Sequence, residues 1–155
     1  MADDLTPSEV EASERVEAAK GIFDSHTTMS IAMNRDGEPW VGKAFFVEDE
    51  PTAGALDICC ALVLDARKLE MTRRSPRASF IVAGDVPDRW IQGAGTVRIA
   101  DAEDAVEILD CLRRKTGAAG EFLERFDSTP VRIRVDRLRV TDLTATPPVT
   151  EFTFG

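Results

Sequence analysis

The chain has one histidine and three cysteines in 155 residues, and these shortages remove whole classes of chemistry. His26 is the only imidazole. A Ser–His–Asp triad would have to use it, and no nucleophile-elbow pattern accompanies it. Metal centres of the common His-rich kind lack a ligand set. The cysteines are Cys59, Cys60 and Cys111, an odd count with two adjacent and no CxxC spacing. Adjacent residues on a strand point to opposite faces, so Cys59 and Cys60 read as reduced packing residues. Neither a disulfide nor a metal site is expected. No apolar run approaches the roughly 18 residues of a membrane-spanning helix, so no membrane association is expected. The acidic first residues lack the apolar core of an export signal, so the expected location is cytoplasmic.

Positive charge is also in short supply. Nineteen Lys and Arg stand against 28 Asp and Glu, a net charge of −9. This balance argues against a nucleic-acid partner. Acidity gathers at Asp3, Asp4, Glu9, Glu11 and Glu14 and again at 48–50, whereas the basic residues cluster at 67–77 and 132–139. A local basic patch on an acidic protein suits a small anionic ligand. Hydrophobic residues at 43% and charged residues at 30% are those of a soluble globular domain. The length suits one domain, read as 7–146, with a disordered start at 1–6 and a tail at 147–155.

The spacing of Ala12, Val16, Ala19 and Phe23 predicts a first helix from Pro7, with Thr6 as N-cap and Glu9 three residues on. Thr27–Met33 and Trp40–Val47 read as strands joined by the hairpin signal Asn34-Arg35-Asp36-Gly37. Ala55–Leu64 is nearly continuous apolar sequence, a strand buried on both faces. A lone barrel of this length would struggle to cover both, so a dimer is expected. Arg77–Ala83 and Arg89–Ala100 are further strands, the second interrupted by Gly93 and Gly95, which mark a bend or a close backbone approach. Ala102–Lys115 is an amphipathic helix capped by Asp101 and ended by Gly117 and Gly120, with a further helical turn at Glu121–Phe126. Val131–Leu143 alternates apolar and polar residues with a one-residue slip after Val135. That predicts a bulged, half-buried strand with Arg132, Arg134 and Arg139 towards solvent. Pro147-Pro148 ends regular structure. Hairpin connections make the sheet mostly antiparallel, and six such strands can curl into a small barrel.

The stretch most suggestive of function is Leu62–Val82. Asp65 can cap a short basic helix whose first turn holds Arg67 and Lys68. Cations usually avoid a helix N-terminus, where the macrodipole is positive. Two of them beside free N–H groups make a phosphate cradle, or else a solvated basic face. Arg73, Arg74 and Arg77 read as surface charges or partners of the acidic loops. Lys43, alone on an apolar strand, either snorkels at a barrel mouth or touches a ligand. Trp90 and Gln92 share a strand face. They are either core with a hydrogen-bonded edge or a ring and an amide for a ligand. His26 falls between helix and strand, a place for caps and turns.

Three segments occur together in order: Met29-Ser30-Ile31-Ala32-Met33 with Asp36-Gly37-Glu38-Pro39; Ala66-Arg67-Lys68 with Arg74-Ser75-Pro76-Arg77; and Arg89-Trp90-Ile91-Gln92-Gly93-Ala94-Gly95. With them, residues 8–143 resemble the pyridoxamine 5′-phosphate oxidase-like, FMN-binding split-barrel family. The resemblance implies an antiparallel six-stranded split β-barrel with flanking helices, paired as a homodimer with two cofactors in the interface. It implies that Arg67 and Lys68 hold the FMN phosphate and that Val41, Gly42, Lys43 and Ala44, with Cys60, Ala61 and Leu62, line the isoalloxazine ring. Trp90 and Gln92 would come from the partner chain or the adjoining wall. The implied activity is flavin-dependent oxidoreduction of a small molecule. Alternatives are a reductase using a deazaflavin cofactor, or a flavin-binding or accessory barrel without turnover. The tail TPPVTEFTFG lacks the oxidase's arginine-containing substrate motif, and Ala61-Leu62-Val63 replaces an expected hydroxyl. Pyridoxamine phosphate oxidation itself is therefore not expected.

Overall fold

The computed structural model describes residues 19–85 and 88–154. The expected Thr6 cap, the first helix over 7–18 and the disordered start lie outside these residues. The helical residues 19–24, here α1, bury Ala19, Ile22 and Phe23.

Seven strands form one antiparallel sheet. They are β1 (Thr28–Arg35), β2 (Glu38–Asp49), β3 (Asp57–Leu62), β4 (Arg77–Ala83), β5 (Arg89–Ile99), β6 (Thr129–Asp142) and β7 (Val149–Thr153). The helices are α2 (Ala66–Arg74), α3 (Ala102–Lys115) and α4 (Gly117–Arg125). The sheet order is β3-β2-β1-β4-β5-β6-β7, and a β3–β6 pairing closes the first six strands into a barrel. The first hairpin turns on Asp36 and Gly37 at φ 52° and 87°, the left-handed pair of a type I′ turn. Asn34 Oδ1 accepts from Gly37 N at 2.7 Å.

Alternation sets what each strand buries. In β1, Met29, Ile31 and Met33 face the barrel interior; in β4, Ala78, Phe80 and Val82 do. All six residues of β3 are buried. Cys60 and Leu62 join the barrel core, whereas Cys59 and Ala61 pack outward under Ile108, Leu112 and Ala119 of α3 and α4. Both faces of this apolar strand are thus covered by its own chain. The doubly buried pattern gives no argument for a second copy, because the sequence pattern of β3 did not reveal that α3 and α4 would return to it.

β6 pairs with three strands. Thr129–Arg134 pairs with β3, residues 137–141 with β7, and β5 runs along the other side. The register slips where Ala94 meets Arg137 and Gly95 meets Val135, leaving Asp136 as the extra residue of a bulge. Two expectations change here. The residues after Pro147-Pro148 form β7 rather than an irregular tail. Gly117 and Gly120 do not end α3 but lie in α4, where Thr116 serves as C-cap of one helix and N-cap of the next.

Arg132 also differs from expectation. It is buried rather than solvated, 8% exposed. Its Nε and Nη2 donate to the two oxygens of Asp104 at 2.7 Å, and Nη1 donates to Asp49 at 2.6 Å and to Asp57 at 3.3 Å. Arg134 takes the other oxygen of Asp57. A buried guanidinium needs such partners, and here they tie the α3 N-terminus to β2, β3 and β6. The hydrogen bond from Arg132 holds the Asp104 carboxyl below the usual carboxylate range. A depressed carboxylate stabilises the fold above its unfolded pKa and is lost as pH falls through its folded one. Asp104→Asn is therefore expected to cost about 2 kcal/mol or more at pH 7. In denaturant melts, the gap from the parent should hold from pH 7 to about pH 4 and narrow only below that, as the parent Asp104 begins to be protonated.

Candidate functional site

The α2 N-terminus forms as its sequence directs. Asp65 Oδ1 accepts from Lys68 N at 2.8 Å, and its carbonyl from Leu69 N at 2.9 Å. The N–H groups of Ala66 and Arg67 have no partner among the described residues. Arg67 is exposed and Lys68 half-buried. Neither makes an ion pair among those residues, and the first turn carries no acid. At the other end the cations are paired: Arg73 with Glu70 at 4.0 Å and Arg74 with Asp36 at 3.5 Å. Arg77, at the head of β4, pairs with Asp136 of the bulge. These three arginines thus have carboxylate partners, though not in the acidic loop at 48–50. Among the described residues, the helix leaves two cations unpaired at the end where its own dipole repels them.

Registers on the barrel's outer surface bring distant residues into rows. One row runs Lys43, Ser30, Ile81, Gln92 across β2, β1, β4 and β5; the next runs Val41, Ala32, Ser79, Ala94. Trp90 lies on the same face of β5, two residues from Gln92. Val41, Lys43, Trp90 and Gln92, all expected at the site, therefore share one surface floored by small side chains. Three strand steps, about 14 Å of sheet, separate Lys43 from Gln92. Val41 is 67% exposed and Ile81 36%.

The other expected residues lie elsewhere. Ala44 and Leu62 face the barrel interior and Ala61 lies under α3 and α4, all nearly fully buried. They could offer a ligand backbone but not side chain. Gly42 lies beneath the Trp40 ring, which a Cβ there would meet at 3.0 Å. The Arg35 guanidinium stacks on that indole, 3.9 Å from its centroid. At Gly93 a Cβ would fall 2.2 Å from Phe80 Cζ, and at Gly95 it would fall 2.1 Å from the Arg134 carbonyl oxygen. These two glycines admit the chain's own core ring and backbone.

Elsewhere the chemistry is quiet. His26 Nδ1 donates to the Ile22 carbonyl at 2.8 Å, closing α1. Burial pushes the Cys60 thiol up to about 12 and raises Cys59 as well, so neither is a ready nucleophile. No group of three or more His, Cys, Asp or Glu could hold a metal among the described residues. No helix there is long and apolar enough to cross a membrane.

One residue of this surface escaped the sequence reading. Arg137 lies on the outer face beside Ala94, because the Asp136 bulge turns it there. The only trace in the sequence is the slip from Val135 to Leu138.

No protein-family model and no curated protein matches the sequence. Solved structures do. One is a pyridoxinephosphate oxidase family protein from Clostridium acetobutylicum, related to general stress protein 26 of B. subtilis. It is 11% identical, with a TM-score of 0.67 over 91% of this chain and 95% of that one. A heme binding protein from Mycobacterium smegmatis is 18% identical, with a TM-score of 0.61 over 96% of this chain; the match spans 59% of that protein. An FAD-binding protein from Mesorhizobium loti is 14% identical, with a TM-score of 0.57 over 79% of this chain and 89% of that one. At such identities the likeness establishes the fold, the split barrel of the pyridoxamine 5′-phosphate oxidase type.

The glycine contacts can be tested directly. Gly93→Ala should lose about 1–3 kcal/mol by overpacking against Phe80, and Phe80→Leu in the same chain should restore part of it. Gly95→Ala should lose more and resist rescue, since the obstructing atom is backbone. Thermal melts of the three variants provide the measurement.

Proposed function

We propose that this protein binds FMN on the outer face of the barrel and works as a flavin-dependent oxidoreductase on a small molecule, as a homodimer. The observation carrying the reading is the pair of unpartnered cations, Arg67 and Lys68, at a helix N-terminus with free N–H groups. That donor set matches a phosphate in charge and geometry. Known proteins of this fold include FAD-binding and heme-binding members, which supports a large planar cofactor.

In this reading Arg67, Lys68 and the N–H groups of Ala66 and Arg67 hold the phosphate. The small residues Ser30, Ala32, Ser79 and Ala94 leave a flat sheet surface on which a ring system can lie. Lys43 at one side and Gln92 at the other offer hydrogen bonds to polar ring atoms. Gln92 extends from the same sheet face as Trp90, which supplies an aromatic wall. The bound flavin would supply the hydride and electron chemistry, so the scarcity of acid–base residues is no obstacle. A second copy laid on this face would cover Val41 and Ile81 and keep water from the ring. Such interfaces commonly bury about 2,000 Å² or more.

A flavin absorption band in purified protein, followed by turnover with reduced nicotinamide or oxygen, separates an enzyme from a carrier and from an empty barrel. Arg67→Ala with Lys68→Ala should weaken FMN about a hundredfold or more, given roughly 1.5–3 kcal/mol per charge-assisted hydrogen bond. Riboflavin, without the phosphate, should hardly change. Equal losses for both ligands would remove the phosphate assignment.

The dimer has its own test. Light scattering at micromolar concentration should report two chains for the parent and one for Val41→Asp with Ile81→Asp. A monomeric parent would count against the shared face.

A further inference from the structure

We infer that Arg137 anchors the carboxylate of a small planar ligand in a cleft at the β5–β6–β7 edge of the outer face. This rests on the flavin reading for its role, since the cleft adjoins the proposed ring surface at Gln92 and Ala94. Its anchoring charge, Arg137, is none of the residues placed around the phosphate or the ring.

The bulge creates the site. Before it, the odd-numbered residues Val131, Ile133 and Val135 face the barrel core. Asp136 is the one residue too many, and beyond it the parity reverses. Leu138 takes the inward place, and Arg137 turns out to the surface. An uninterrupted strand would bury this guanidinium.

Arg137 is also the unpaired member of its strand. Arg132 has Asp104, Asp49 and Asp57; Arg134 has Asp57; Arg139 has Glu151 at 3.8 Å. Asp136, the nearest carboxylate in sequence, is taken by Arg77. The Arg137 side chain makes no ion pair or hydrogen bond among the described residues; its charge helps lower the Asp136 carboxyl, but the hydrogen bonds of that carboxylate go to Arg77.

The surroundings complete a receptor. Arg137 lies opposite Ala94 on β5, a short side chain, and one row from Gln92. The cleft holds about 280 Å³, and its wall includes Gln92, Gly93, Ala94, Arg137, Arg139 and Glu151. Two guanidiniums against one carboxylate leave a single positive charge in it. A planar fork binds a carboxylate through two parallel hydrogen bonds. The Gln92 amide adds a donor, and the Gly93–Ala94 backbone offers a flat, sterically low bed. A ring of one or two cycles bearing one carboxylate fits the charge, the shape and the volume.

The probe is benzoate, with benzamide as its neutral counterpart of the same shape. Titrating the isotope-labelled full chain should shift the backbone amide signals of Gln92, Ala94 and Arg137 with benzoate, saturably, and at least tenfold more weakly with benzamide. Arg137→Gln should lose about tenfold or more of the benzoate affinity with an unchanged melting temperature, while Arg137→Lys should fall between. Equal binding of the two probes, or benzoate affinity untouched by Arg137→Gln, would overturn the assignment. FMN titration of the same variant keeps the two readings apart. FMN affinity should survive Arg137→Gln. A parent chain that binds benzoate through Arg137 but takes no FMN would sink the flavin reading and leave this site standing, whereas the reverse result would sink this site alone.

Discussion

Barrel closure is the constraint on which everything else depends. Six residue pairs between Asp57–Leu62 and Thr129–Arg134 join the third strand to the sixth. Without them the third strand and the 129–134 half of the sixth would be open edges, with a row of unpaired backbone groups each. The seam is reinforced by charge. Asp57, buried in the third strand, accepts from both Arg132 and Arg134 of the sixth. Arg132 in turn grips Asp104 at the start of α3, so the helical layer is bolted to the same seam. That layer then covers the outer side of the third strand, which lets all six of its residues be apolar or paired.

The sixth strand pairs with the fifth along its whole length and with two others in succession, and its register against the fifth slips once. The bulge at Asp136 absorbs the mismatch, as extra residues at barrel rims do. It has two chemical consequences. Asp136 captures Arg77, tying the start of β4 to β6, and Arg137 is turned out among small neighbours. Structural accommodation and ligand chemistry thus share one residue insertion. Separately, α2 carries two cations at its N-terminus that have no carboxylate partner among the described residues. Most of the described arginines meet a carboxylate, so those left without one stand out against the acidic background of the chain.

Much of this could be read from residue order. The Asp36-Gly37 turn, the Asp65 and Asp101 caps and the bounds of β4 and α3 follow from local chemistry: left-handed backbone tolerated by Gly, side-chain oxygens meeting orphan N–H groups, and periodicities of 2 and 3.6. The alternation that placed Trp90 and Gln92 on one face, and Cys59 and Cys60 on opposite ones, is equally local. Strand count and hairpin connections were enough to suggest a small antiparallel barrel, and the resemblance of three motifs added that it is a split one.

Long-range pairing lay beyond such reading. Whether Arg132 met solvent or three carboxylates depended on residues up to 83 positions away. Whether Gly93 served a ligand or Phe80 depended on the neighbouring strand. Val149–Thr153 becomes a strand only because the sixth strand offers it an edge beyond the end of the third. The sequence by itself determined the elements, their caps and which face of each strand is apolar, because those properties arise within a few residues of chain. Tertiary structure alone decided which charges are matched and which remain free, and which apolar faces the chain covers itself. Pairing is a property of two segments brought together by closure, and no single segment contains it.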